Sequence, residues 1–288
     1  MHYNDFADRQ FGLVTRANAH ASALSDRQIA KLVENRSLIR VHRAVYRVPG
    51  SPPSPKQDAL AACFAVGTHA FASHSTAAGV FGLLRANKGK PEVLVARAHR
   101  SRLTTVVVHR AVELARNEVT RVGLIPLTRV ARTLSDLAVR MDIEDALDEA
   151  LRRKLVTPEQ LARYPRLRRL AEDRMEHGVP DSKLERLAID ALRAAGLPEP
   201  VRQYRVRIRG RNYRPDLCYP DRRVSIELEG QAPHWGQWQY DHDRDNDFEL
   251  DRWRVLTYTW DDATNGSLKL IMQVGEILGL RPTRWSAR

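Results

Sequence analysis

From Arg223 to Gly230 the chain alternates strictly, with Val224, Ile226 and Leu228 apolar and Ser225, Glu227 and Glu229 polar. A helix would scatter these residues around its axis, so the segment is constrained to a half-buried strand carrying both glutamates on one face. The run Tyr204 to Ile208 also alternates, and Arg214 to Tyr219 leads into the turn-forming pair Pro220-Asp221. A hairpin across that turn sets Asp216 beside Glu227. Upstream, Leu184, Leu187, Ala188, Ala191 and Leu192 recur at helical spacing, between a start signal at Pro180-Asp181-Ser182 and a stop at Gly196-Leu197-Pro198. Glu185 then falls in the first turn, beside the apolar stripe.

Carboxylates brought to one point repel each other unless a cation lies between them. Mg²⁺ or Mn²⁺ held by such oxygens polarises a phosphoryl oxygen and activates a water, which is how phosphodiester hydrolysis is commonly driven. The plainer alternative is that Glu227 and Glu229 face solvent from an edge strand, and spacing alone leaves both readings open.

Further residues bear on that choice. In order along the chain stand Ser182-Lys183-Leu184-Glu185, Gly196-Leu197-Pro198-Glu199-Pro200, Arg214-Pro215-Asp216, Ile226-Glu227-Leu228-Glu229-Gly230 with His234, Asp241-His242-Asp243-Arg244-Asp245-Asn246, and Trp253-Arg254-Val255-Leu256 with Trp260. With these blocks, residues Ser182 to Leu278 resemble the Vsr-like branch of the PD-(D/E)XK nuclease superfamily, a domain common in actinobacterial proteins. The resemblance implies a mixed sheet flanked by helices, with Asp216 and Glu227 as metal ligands, Glu229 as a third acidic member and Glu185 as an auxiliary carboxylate. It also implies cleavage of DNA, with phage defence or DNA repair as the setting.

The superfamily often carries a lysine two residues after its second acid, and here that position is Glu229. His234 is a candidate substitute, as general base or phosphate contact, or else a loop residue in Pro233-His234-Trp235. Arg244 is placed to clamp phosphate through its planar fork, or to pair with the aspartates around it. The acidic residues at every second position, Asp241, Asp243, Asp245, Asp247, Glu249 and Asp251, do not make a calcium loop. Position six is Asn246 rather than glycine, and position twelve is Arg252 rather than glutamate.

Charge is distributed unevenly. Residues 1–175 hold 29 Lys and Arg against 17 Asp and Glu, while residues 176–288 hold 18 of each, so the whole net charge of +12 lies before the carboxylate segment. This favours double-stranded DNA as the partner of the N-terminal part, although 40 of the 47 basic residues are arginine, a skew that a GC-rich genome also produces.

A reader for DNA is legible at the N-terminus. Thr15 opens a short helix to Ala21, Leu24-Ser25 turns the chain with Ser25 as N-cap, and a second helix follows with Ile29, Leu32 and Val33 on one side. Leu38 to Val48 then forms two short strands. Helix, turn, helix and hairpin is the plan of a winged helix-turn-helix, which places Ser25, Arg27, Gln28 and Lys31 toward a major groove and Arg40 and Arg43 toward phosphates. The alternative is a small packing module in which Ser25 only caps a helix. Gly12-Leu13-Val14-Thr15, the Arg40 to Tyr46 segment, Ser73 to Ala78 before Gly82-Leu83, and Leu127 to Ala138 resemble the N-terminal and middle regions of AbiEi-type antitoxins. That resemblance implies promoter binding, autoregulation and a cognate toxin as partner.

The expected organisation is α/β (α+β): a winged helix-turn-helix over 1–50, an α/β middle domain over 51–150, a basic linker over 151–178, and a restriction-endonuclease-like mixed sheet over 179–282. Ser51-Pro52-Pro53-Ser54-Pro55 is expected to act as a stiff spacer. His74 and Asp136 in the middle region lack a nucleophile or a spaced ligand set and are expected to be structural. Cys63 and Cys218 are too far apart in sequence to suggest a disulfide framework or a zinc set. No leader, no apolar run of membrane length and no glycine-rich phosphate loop is evident, so a soluble cytoplasmic protein that does not hydrolyse nucleotides is expected. Two functions remain, a Mg²⁺- or Mn²⁺-dependent DNA endonuclease, and an antitoxin-type transcriptional regulator with an inactive nuclease-like domain.

Overall fold

A computed structural model describes residues 2–85, 89–97, 103–229, 244, 246–264 and 267–282. The fold is mixed α/β, and the chain divides into two compact units, Met1–Glu172 and Asp173–Arg288.

Unit 1 begins with α1 (Tyr3–Arg9), β1 (Leu13–Thr15), α2 (Arg16–Ala21), α3 (Asp26–Glu34), β2 (Ile39–His42) and β3 (Val45–Arg47). The starts of α2 and α3 are fixed by capping boxes. Thr15 Oγ1 accepts from the Asn18 amide at 3.0 Å, and Ser25 Oγ accepts from the Gln28 amide at 3.3 Å. The three strands form an antiparallel sheet in the order β1-β3-β2. Gly12 enters β1 at φ 80°, and a Cβ there would collide with Ser51, so the position admits only glycine.

The proline-rich stretch after β3 is not a spacer between separate cores. Leu13 and Val45 are buried in one cluster with Leu60, Val93, Ile125 and Leu127. The Gln57 side-chain amide donates to the Phe11 carbonyl at 2.5 Å. The helix that follows the prolines, α4 (Pro55–Val66), buries residues almost all round its circumference, so it lies inside this shared core. Beyond it come β4 (Phe71–Ala72), α5 (His74–Phe81), β5 (Glu92–Ala96), β6 (Val107–Ala111), β7 (Val119–Val122) and β8 (Ile125–Thr128), forming a five-stranded sheet in the order β6-β5-β4-β8-β7.

Unit 1 is completed by α6 (Val130–Leu137), α7 (Glu144–Arg152), α8 (Pro158–Ala162) and the first half of α9 (Arg168–His177). The segment expected to be a basic linker is therefore folded up to residue 172. Leu161, Leu167 and Ala171 are fully buried, and removing such a leucine from water contributes roughly 2 kcal/mol.

In unit 2, α10 (Lys183–Ala194) is capped by Ser182, whose Oγ accepts from the Glu185 amide at 3.1 Å. Its stripe of Ala188, Ile189 and Leu192 packs with Leu217, Ile226, Tyr258, Leu270 and Val274. The sheet runs in the order β14-β13-β12-β9, where β9 is Val201–Arg202, β12 is Leu217–Tyr219, β13 is Val224–Glu229 and β14 is Arg254–Thr259. Strands β10 (Val206–Ile208) and β11 (Arg211–Tyr213) form a separate hairpin. Alternation divides the main sheet's faces: Leu217, Val224 and Ile226 join the core with α10, while Cys218 faces Phe248, Trp253 and Tyr213. Helices Trp260–Thr264 and Leu268–Leu278 close the unit. Among the described residues no helix is long and apolar enough to cross a membrane.

Candidate functional site

The β12–β13 hairpin has the register that its turn dictates, with Leu217 opposite Ile226, Cys218 opposite Ser225 and Tyr219 opposite Val224. One step further sets Asp216 opposite Glu227. Asp216 Oδ2 accepts from the Leu228 amide at 2.9 Å, which fixes its carboxylate against β13. Glu227 lies on the same face as Ser225, whose Oγ donates to Glu227 Oε1 at 2.8 Å. Arg244 reaches Glu227 Oε2 with Nη1 at 3.4 Å.

Glu185 stands behind this pair in the first turn of α10. Its side chain is buried, with Oε2 accepting from the Asp181 amide at 3.1 Å and Oε1 from the Gln203 side-chain amide at 3.2 Å. Burial, helped by the nearby Asp216 and Asp181 charges and opposed by its two hydrogen bonds, pushes the Glu185 carboxyl up to about 7. Asp216 is also raised, first by burial, with the Leu228 amide and Arg244 working the other way. Arg244 and Arg214 both act against that rise, yet burial leaves Asp216 above the ordinary carboxylate range.

Glu229 is set apart from that group. It is exposed at the end of β13, opposite Thr259 of β14. Asp216, Glu227 and Glu229 are not gathered as a three-ligand group. Among the described residues the one set of three ligand side chains whose atoms lie within 4.8 Å of one another is Asp173, His177 and Glu199. His234, Asp241, Asp243 and Asp245 lie outside the described residues.

The Asp173 group is an ion-pair network rather than a cation site. Arg174 and Arg193 reach Asp173 at 2.6 and 2.8 Å, while Arg193 and Arg202 reach Glu199 at 2.8 and 2.6 Å. Burial opposes the charge on Asp173, but Arg202, Arg174 and Arg193 hold it below the ordinary carboxylate range. Three guanidinium groups already supply the countercharge that a metal would bring. Asp173, Arg174, His177, Arg193 and Arg202 gave no periodic or motif signal in the sequence, and Glu199 stood in a block read for another reason.

At the N-terminus, Ser25 and Gln28 are turned on each other. The Ser25 amide and hydroxyl both donate to Gln28 Oε1, at 2.8 and 2.9 Å. Asp26 is paired with Arg16 and is in hydrogen-bond contact with His20 at 2.8 Å. Arg27 and Lys31 on α3 and Arg40 and Arg43 on the hairpin are exposed and have no acidic partner among the described residues.

In the middle of unit 1 the structure gathers residues that the sequence left apart. His74 and His109 stack at 3.8 Å, and buried Glu92 accepts from His109 at 3.2 Å, Arg140 at 2.7 Å and the Ser75 hydroxyl at 2.6 Å. Burial opposes the charge on Glu92, but these donors hold it far below the usual carboxylate range. Asp136 is spanned by Arg132 at 2.9 Å. Every carboxylate oxygen of Glu92 is engaged, so this cluster fastens α5 to the sheet.

No protein-family model matches this chain, and no curated protein matches it.

Proposed function

We propose that this chain binds double-stranded DNA through α3 and the β2–β3 hairpin, and that its second unit carries a metal-dependent phosphodiester-cleaving centre of the PD-(D/E)XK type. The observation that carries the proposal is the placement of Asp216 opposite Glu227, with buried Glu185 behind them and its carboxyl raised to about 7. Like charges held together at such a cost of burial are what a divalent cation relieves.

Mg²⁺ needs only one or two carboxylates, with waters and substrate phosphate completing its shell. Asp216 and Glu227 would hold it, and exposed Glu229 falls outside that pair. When bound, the cation supplies charge that polarises a phosphoryl oxygen and lowers the pKa of a water. Arg244, which reaches Glu227 and has a planar fork suited to phosphate, would contact the scissile group in the absence of a motif lysine. Of the four cations without an acidic partner among the described residues, Arg27 and Lys31 enter the groove and Arg40 and Arg43 meet phosphates.

A second reading is an antitoxin-type regulator, partnered by a toxin, whose nuclease-like unit is inactive. It is favoured by the Arg244–Glu227 pair, which already neutralises one ligand, and by the absence of a three-acid group around Asp216 among the described residues.

Incubating plasmid DNA with the protein and Mg²⁺ or Mn²⁺ separates the two. Nicking by wild type that is abolished in Asp216→Ala and Glu227→Ala supports the nuclease. DNA left intact by all three, yet still shifted in a gel, rejects the nuclease and leaves the regulator. Arg40→Ala and Arg43→Ala should each lower the salt dependence of binding by about one phosphate contact; an unchanged slope in both counts against the proposed surface.

A further inference from the structure

Unit 1 contains a cavity that none of these roles uses. Its volume is about 700 Å³, inside the range of roughly 300–1,000 Å³ common for small-molecule sites. Its walls are β7 with the residues before it, the first turn of α6, and the segment from Leu155 to Tyr164. Two of the walls are tied together through Glu118, whose Oε1 accepts from Arg132 at 2.9 Å and from the Tyr164 hydroxyl at 3.4 Å. The cavity is thus held open by its own hydrogen bonds, and the charge of Glu118 is already matched.

The remaining charge is unbalanced. Arg129 and Arg163 both line the cavity, and neither has an acidic partner among the described residues. One acid without a basic partner among the described residues, Glu113, also lines the cavity. Guanidinium forks fit the oxygens of a phosphate in pairs. Tyr164 and Phe81 add flat apolar surface to the same cavity, which suits a ring better than a bare anion.

We propose that this cavity binds a small organic phosphate of nucleotide size, with the phosphate on Arg129 and Arg163 and the ring against Tyr164 and Phe81. All of its lining residues belong to unit 1, and none is a residue of the α3 surface. A DNA-binding chain with such a site has a means of answering to a soluble nucleotide.

The test is calorimetric titration of the full chain with ADP and with inorganic pyrophosphate. Wild type should bind ADP with Kd below about 1 mM and bind pyrophosphate at least tenfold more weakly. Arg129→Ala and Arg163→Ala, both at exposed positions, should each weaken ADP at least tenfold while keeping the wild-type melting temperature. The double variant Arg27→Ala/Arg40→Ala should bind ADP as wild type does. No ADP binding at millimolar concentration, or equal affinity in the Arg129 and Arg163 variants, overturns the site. Equal affinity for pyrophosphate overturns the ring contact, and loss in the Arg27/Arg40 variant shows that ADP is only titrating the DNA surface.

Discussion

His74 combines a left-handed backbone, φ 49°, with a buried imidazole stacked on a second histidine. Burial first, and then the charge of His109, push its pKa down to about 4 against the pull of Glu92. An unfolded histidine titrates near 6.5, so between pH 6.5 and 4 the unfolded chain binds more protons than the folded one. The stability this group contributes is therefore complete above pH 6.5 and lost on acidification toward 4, a change on the order of 3 kcal/mol. Asn tolerates a left-handed backbone, so His74→Asn should fold at pH 7 and lose less stability than wild type between pH 7 and 4.5. Urea unfolding of both proteins across that range is the measurement, and parallel losses would mean another group is responsible. Sequence could not have revealed this stack. His74 and His109 are 35 positions apart, and only the sheet order brings α5 over β6.

Among the elements, α3 shows which sequence signals survive folding. Ser25 was expected both to cap the helix and to face DNA, and the structure engages it in the cap. Ser25→Ala should cost about 1 kcal/mol of stability and leave the salt slope of DNA binding unchanged, the opposite of Arg40→Ala. Thermal melts and salt-dependent gel shifts on both variants would check the separation. The long alternating strand β13 and the striped helix α10 were legible because each repeats its pattern over several residues. Asp216 was legible beside Glu227 for the same reason, since turn and alternation together leave one register. Strands β1 and β4, of three and two residues, are too short to show any period. From Arg152 to Arg174 eight basic residues against three acidic ones set the composition, and the buried Leu161, Leu167 and Ala171 were outvoted.

At the scale of the whole molecule, composition located the proline run but could not say whether the apolar residues on its two sides shared a core. They do. The N-terminal elements have only a small cluster of their own, with Ala7, Val14, Ala19 and Ile29 buried in it, whereas Leu13 and Val45 are completed by α4 and the five-stranded sheet. A fragment of residues 2–50 should therefore remain unfolded by circular dichroism, and residues 2–172 should fold cooperatively. Leu13→Ala should lower the stability of that longer fragment by about 3 kcal/mol; a folded short fragment would contradict this picture. For protein engineering the shared core moves the cutting point. A graft that carries α3 to another scaffold has to take the chain through residue 172, because the sheet beneath the helix belongs to the same portable piece.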